Sequence, residues 1–458
     1  MTLSDLLAAR AAAEPDGVAM IVHGVGELTY SGWDARAGAM ANILINEGVR
    51  PGEPVGLVFP HAAWLDYAVA FMGVLRAGAV AVPMSDRTPE GEIRLLAERA
   101  GIARILRNVP TGPAEPAEPV KVSSSDPAQI LFTSGTTGVA KGVMATHGNL
   151  AFGLHRDPRR RAFRHSTHLA HAFPIGTNAG QMMLVNAIAA HPTVVTTPMF
   201  TTARFANLVA KYQAGTVFLV PAMAIELLSA GVDPLDSVLL LGSAAAPLPA
   251  AVAAKLTELF PAAMITNYYT STEAAPAQTI MVFDPERPGS VGRAAAGGQV
   301  RVTSGDGTPA ATGEIGEVWM RSSAAPRAYL GDPDSDTFRN GWVRMGDLGY
   351  LDDDGYLFLV DRTGDVIKSG AHKVSTLKIE EALHAHPLVK EAAAYGVPHP
   401  VLGKAVAVAL VVQEEIPLPD LRSFLSERLA PHELPAKVTT MDALPRNRGG
   451  KVDKRALS

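Results

Sequence analysis

The stretch Thr133–Gly142, TSGTTGVAKG, holds three glycines, four hydroxyl side chains and one lysine between two apolar runs. Gly135, Gly138 and Gly142 permit backbone angles that other residues resist. Successive N–H groups can then turn inward as an anion-binding nest. Thr133, Ser134, Thr136 and Thr137 add hydroxyl donors, and Lys141 adds positive charge. Polyphosphate binding is the chemistry that suits this set. A Gly/Ser/Thr turn without chemical role is the alternative that the loop alone leaves open. It is not a Walker A loop, which needs four residues between its glycines and a hydroxyl residue after the lysine. Here Gly135 and Gly138 stand three apart, and Gly142 follows Lys141.

Three other groupings carry less. His165, His168 and His171 are spaced by three, which on a strand puts side chains on alternating faces and does not build a shared metal site. The acidic run Asp352–Asp354 fails the EF-hand spacing, because Tyr350 stands where the first carboxylate ligand belongs. It reads as an Asp-Gly turn. Arg159–Arg161 reads as a solvated surface run rather than an RNA contact.

The loop needs a frame. AQILFT (Ala128–Thr133) and KGVMAT (Lys141–Thr146) read as paired buried strands, with Thr146 capping a helix from His147. Upstream, Leu3–Ala12, Tyr30–Glu47, Trp64–Arg76 and Glu90–Ala100 show helical spacing, and Pro54–Phe59 and Ala79–Met84 read as buried strands. Thr216–Pro221 and Ser237–Gly242 continue the alternation, which predicts α/β layers with largely parallel sheets. Gly289–Met320 has short alternating runs and turns, as a β-rich subdomain would. After it, Thr376–Ala385 and Pro419–Arg428 read as helices, and VKEAAAYGVP and AVAVALVV as strands. These make a small α+β unit. The boundary is placed between a large N-terminal domain, 1–362, and a small mobile domain, 363–458.

Composition limits the classes. The chain has 458 residues, 47% hydrophobic and 19% charged, with a formal net charge of −5. That suits a globular protein and argues against a dedicated nucleic-acid binder. With no cysteine, thiolate metal sites and cysteine nucleophiles are excluded. The longest apolar stretch, from Tyr67, is broken by Arg76 and glycines, so no membrane span is read. The N-terminus lacks signal-peptide character, and a cytoplasmic location is expected.

TSGTTGVAKGV resembles the phosphate-loop signature of the acyl-adenylate-forming (ANL) superfamily, and most of all its acyl- and aryl-CoA ligases. The resemblance continues in order through GVLRAGAVAVPM (Gly73–Met84), SAAAPL (Ser243–Leu248), YTSTE (Tyr269–Glu273), MGDLGYLDDDGYL, VDRTGDVIKSG and LPRNRGGKVDKRAL. It implies that a carboxylate attacks the α-phosphate of ATP, giving an acyl-adenylate and pyrophosphate, and that a thiol then takes the acyl group. Such chemistry demands positioned donors, cations and a metal rather than a protein nucleophile.

The resemblance implies roles residue by residue. Thr133, Ser134, Gly135, Thr136, Thr137, Gly138 and Lys141 would hold the β- and γ-phosphates. Glu273 would bind Mg²⁺, and Thr272 the α-phosphate. Ala245, Ala246, Pro247 and Tyr269 would line the adenine site, and Asp347 and Arg362 would hold the ribose. Lys451 would bridge the α-phosphate and the substrate carboxylate. Phe173, Thr177, Asn178, Met182, Met223, Ala244 and Thr270 would form an acyl pocket for a neutral small or medium acyl chain or aryl ring. Ser369 and Gly370 would line a tunnel for CoA, or for carrier-protein phosphopantetheine, and Gly364 would be the hinge. Thr270, Thr177 and Gly364 depart from the family pattern, and Thr270 is expected to intrude on the acyl or adenine pocket. The expected partners are a small carboxylic acid and CoA or an acyl carrier protein, with a homodimer compatible. Two alternatives stand beside the CoA ligase: loading of a carrier protein or amine, and a degenerate nucleotide-binding module.

Overall fold

A computed structural model describes the chain except residues 111–114, 119, 134–139, 296, 306, 333–334, 371, 448–450 and 458. The glycine-rich loop from Ser134 to Val139 therefore lies outside the described residues.

The helix Trp64–Arg76 organises the large unit. Its residues from Tyr67 to Leu75 are all buried, as expected for a helix apolar on every side. It lies between two sheets, in a core shared with Met20, Leu169 and Phe218 of one and Val55, Leu57 and Ala81 of the other. Gly73 lets it approach the helix Tyr30–Asn46 closely, since a Cβ there would fall 2.4 Å from Met40 Cγ.

The first sheet has 14 strands among the described residues. Its parallel run includes Val18–Val22, Thr193–Thr196, His168–His171, Thr216–Leu219, Leu240–Ala244 and Met264–Tyr269. It then continues as antiparallel strands through Thr279–Val282, Ser290–Ala294, Leu357–Arg362 and Trp342–Leu351. The β-rich region expected from Gly289 onward is thus the far end of this sheet. The second sheet has six strands among the described residues, with Pro54–Phe59 and Val80–Ser85 parallel. It ends in the hairpin Pro127–Thr133 and Lys141–Thr146, extended by the short strand Ala328–Tyr329. A third sheet, of five strands among the described residues, packs with the helices Thr376–His384 and Leu418–Ser426 around a separate core of Ile379, Leu383, Val406 and Leu425.

Two expectations need correction. The strand read at Ser237–Gly242 runs instead over Leu240–Ala244, because Ser237 Oγ donates to Ala214 O and the Leu239 and Leu240 amides to Gly215 O, pinning a turn there. Arg161 is not a solvated surface charge. It is buried and pairs with Glu14 at 2.6 Å. Of the three histidines, His168 and His171 are the two ends of one strand, and His171 is fully buried.

Candidate active site

The hairpin sets Thr133 directly opposite Lys141 at the base of the glycine-rich loop. Thr133 Oγ1 donates to Glu273 Oε1 at 3.3 Å, and Tyr329 OH donates to the same oxygen at 3.1 Å. Lys141 Nζ lies 4.5 Å from the centroid of the Tyr329 ring. Tyr329 arrives there because its strand pairs with Val143 and Met144. The loop base and the carboxylate, 140 residues apart in sequence, therefore meet in one place.

Behind Glu273 sits Arg327, which is buried. Its Nη1 donates to Thr272 O at 2.8 Å and to Asn178 Oδ1 at 3.4 Å, and its Nε to Asn149 Oδ1 at 2.9 Å. Burial pushes its pKa down to about 10, with Glu273 acting against that. A guanidinium in this setting fixes Thr272 and Asn178 through planar, directed donors.

A second group forms around Asp347, which faces Arg362 across an antiparallel pair. Tyr269 OH donates to Asp347 Oδ2 at 2.6 Å, and Arg362 Nε lies 3.4 Å from Oδ1. Burial pushes the Asp347 carboxyl up, against Arg362, Tyr269 and Lys451. The Tyr269 phenol is pushed well up by burial and by Asp347. On the neighbouring strands, Ser243 pairs with Asn267. Ser243 Oγ and Asn267 Oδ1 are buried without a hydrogen-bond partner, a cost of a few kcal/mol at most sites unless a ligand or water meets them. Ala245, just past the strand, has φ of 73°, a left-handed backbone that a residue with a Cβ resists.

Lys451 comes from the C-terminal unit. Its amide donates to Asn447 Oδ1 at 3.1 Å, and Asn447 N donates back to Lys451 O at 2.8 Å. The side chain keeps solvent-accessible surface yet is hemmed in by protein atoms. Desolvation, and then Arg362, push its pKa down to about 8, while Asp347 and Glu273 pull it up.

Thr133, Lys141, Thr272, Glu273, Tyr269, Asp347, Arg362 and Lys451 thus come from five separated segments to one region. Of the residues read as an acyl pocket, Asn178 is held by the same Arg327 that donates to Thr272 O. Phe173 stacks on His171 in the first core, Met223 belongs to a different core, and Met182 is 38% exposed. Ala244 ends its strand, and Ala246 and Pro247 follow it. Thr177 is a helix cap: its Oγ1 accepts from Gly180 N at 3.0 Å and donates to Pro174 O at 2.8 Å. The Thr270 hydroxyl donates to Ala277 O at 2.7 Å. Ser369 and Gly370 make their backbone pairings inside the C-terminal unit, Gly370 N donating to Leu402 O at 2.9 Å. Gly364 lies in an open turn where a Cβ would meet nothing within 4 Å, so the turn does not demand glycine. Ser134, Gly135, Thr136, Thr137 and Gly138 lie outside the described residues.

Sequence reasoning missed Tyr329, Arg327 and Asn267, while Ser243 opens the SAAAPL segment already read as lining the adenine site. The only signal for the first two was a charged and an aromatic residue amid the small residues of SAAPRAYLG.

The family profile for AMP-binding enzyme matches residues 7–115 and 106–330, and that for AMP-binding enzyme C-terminal domain matches 378–451. A feruloyl-CoA synthase of Amycolatopsis sp is 32% identical, covering 97% of this chain and 96% of that protein. The long-chain-fatty-acid–CoA ligase FadD13 of Mycobacterium tuberculosis is 28% identical over 94% of this chain and 92% of its own. Among solved structures, ATP-bound MatB from Rhodopseudomonas palustris superimposes with a TM-score of 0.87 at 27% identity, covering 100% of this chain and 98% of that one. The O-succinylbenzoate CoA synthetase MenE from Bacillus subtilis shares the fold with a TM-score of 0.87 at 24% identity, over 99% and 98% of the two chains. The loop base, the buried aspartate and the C-terminal lysine thus stand on a frame matched from end to end by such enzymes, and the chain belongs to the AMP-binding enzyme family.

Proposed function

We propose that the chain is an ATP-dependent acid–thiol ligase that makes an acyl-adenylate and passes the acyl group to CoA. The observation that carries this reading is the convergence of Glu273, Asp347, Arg362 and Lys451 on one region, beside Thr133 and Lys141 at the loop base. Feruloyl-CoA synthase and the fatty-acid ligase, both full-length relatives, support CoA as acceptor and an aryl or aliphatic acid as substrate. We take the two domains as 1–362 and 363–458.

The residues present fit ATP and Mg²⁺. Ser243 Oγ and Asn267 Oδ1, orphaned and buried, offer polar atoms to a base edge beside Ala245–Pro247. Asp347 is fixed by Tyr269 and Arg362, so its carboxylate is ready to accept from ribose hydroxyls. Thr133 and Lys141 offer a hydroxyl and a charge to terminal phosphates. Glu273 is a hard oxygen donor of the kind Mg²⁺ takes. Bound Mg²⁺ would screen the negative charge of the phosphates. Lys451, protonated below about pH 8, places positive charge where the substrate carboxylate and the α-phosphate must approach. Such preorganised charge lowers the barrier without a covalent protein intermediate. Rotation of the small domain would then bring Ser369 and Gly370 to the thiol.

Incubation with ATP, Mg²⁺, CoA and a panel of aryl and aliphatic acids tests the reading. AMP, pyrophosphate and an acyl-CoA in equal amounts are expected with at least one acid. ADP and phosphate as products would overturn it, and thioester formation only on a phosphopantetheinylated carrier protein would move the acceptor from CoA to that protein.

A further inference from the structure

The helix Ala250–Leu259 starts without a cap of its own, because Pro249 precedes it and supplies no side-chain acceptor. The acceptor comes from the C-terminal unit. Glu381, on the helix Thr376–His384, accepts a hydrogen bond from Ala250 N at 2.9 Å, and the Ala251 amide also bonds its carboxylate. A carboxylate in this position satisfies orphan helix donors and meets the positive end of the helix dipole. Burial pushes the Glu381 carboxyl up, and the two amides act against that.

A reciprocal contact runs the other way. Asp361, on the strand Leu357–Arg362, accepts from Thr376 N at 2.6 Å and from Thr376 Oγ1 at 3.1 Å, at the start of the helix that carries Glu381. Each side of the junction therefore gives a carboxylate to the backbone of a helix on the other. Lys454 Nζ adds a bond to Thr376 Oγ1 at 2.8 Å and an ion pair with Glu380 at 2.8 Å. Lys454 is three residues from Lys451, so these contacts tie the docked helix to the segment that delivers Lys451.

We propose that Glu381 is a positioning residue for adenylation: its cap on the helix Ala250–Leu259 holds the C-terminal unit where Lys451 meets Asp347 and Glu273, and the cap breaks when that unit turns for thiol transfer. This rests on the two-step reading above.

Glu381→Ala and Glu381→Gln in the full chain test it, with both half-reactions measured separately. Glu381→Ala should lower ATP–pyrophosphate exchange about tenfold or more, since the loss of one hydrogen bond to a charged group is already on that scale. Transfer from a supplied acyl-adenylate to CoA should be unchanged or faster. Glu381→Gln keeps an acceptor oxygen and should recover most of the exchange. Equal loss in both half-reactions would overturn the proposal. A second readout needs no substrate. The chain has no cysteine, so dyes can be placed cleanly at Asp233→Cys and Glu415→Cys, both exposed positions. Glu381→Ala should shift the energy transfer between them, and an unchanged transfer would also overturn it. If the transfer shifts while the wild-type protein shows neither half-reaction, Glu381 still holds the junction and the catalytic reading fails instead.

Discussion

A lysine near the end of a chain is ordinarily a solvated charge. Lys451 is held otherwise, with desolvation and Arg362 lowering its pKa to about 8 against the pull of Asp347 and Glu273. The sign of the pH dependence follows. The charged form is lost as pH rises through about 8, so kcat/KM for ATP should fall along an alkaline limb near that value. Lys451→Arg should remove the limb, because arginine stays protonated. Lys451→Ala should cut adenylation by about a hundredfold or more and spare transfer from a supplied acyl-adenylate. An alkaline limb that persists in the arginine variant would show that another group titrates. At this scale, motif order located Asp347, Arg362 and Lys451. Tyr329 and Arg327 were not legible, because they reach Glu273 and Thr272 only through a two-residue strand pairing with Val143 and Met144, and nothing in SAAPRAYLG marks that pairing.

Among the elements, apolar runs told most. The strand Pro54–Phe59 and the helix Trp64–Arg76 lie where periodicity puts them, since burial on all sides leaves few alternatives. The strand at Leu240–Ala244 was misplaced because side-chain and backbone bonds to Ala214 and Gly215 decide where it starts, and local pattern carries no trace of such bonds. Thr177 shows the same limit at the site. Matched by position to a residue that guards the acyl site, it caps the helix Asn178–Ala189. Thr177→Ala should therefore cost about 1 kcal/mol of stability, as loss of an N-cap does, read from the urea midpoint. KM for the preferred acid should stay within about twofold, since no substrate binding is removed. A large change in KM with stability intact would restore Thr177 to the acyl site.

For the whole molecule, the alternation of helices and strands was enough to foresee layered α/β sheets and a small C-terminal α+β unit. How that unit docks was not legible. Its contacts, Glu381 with Ala250 and Asp361 with Thr376, join polar side chains to backbone amides, and such amides carry no sequence signature. Yet that docking sets Lys451 within electrostatic reach of Glu273 and Asp347. The whole arrangement is read as a site for activating a carboxylate on the α-phosphate, so the most direct test is ATP–pyrophosphate exchange with Mg²⁺ and without CoA, across aliphatic, aryl and amino acids. Exchange that depends on one class of acid and vanishes in Lys451→Ala is the expected result. Measurable ATP binding with no acid-dependent exchange from any class would contradict it, leaving a nucleotide-binding module that does not adenylate.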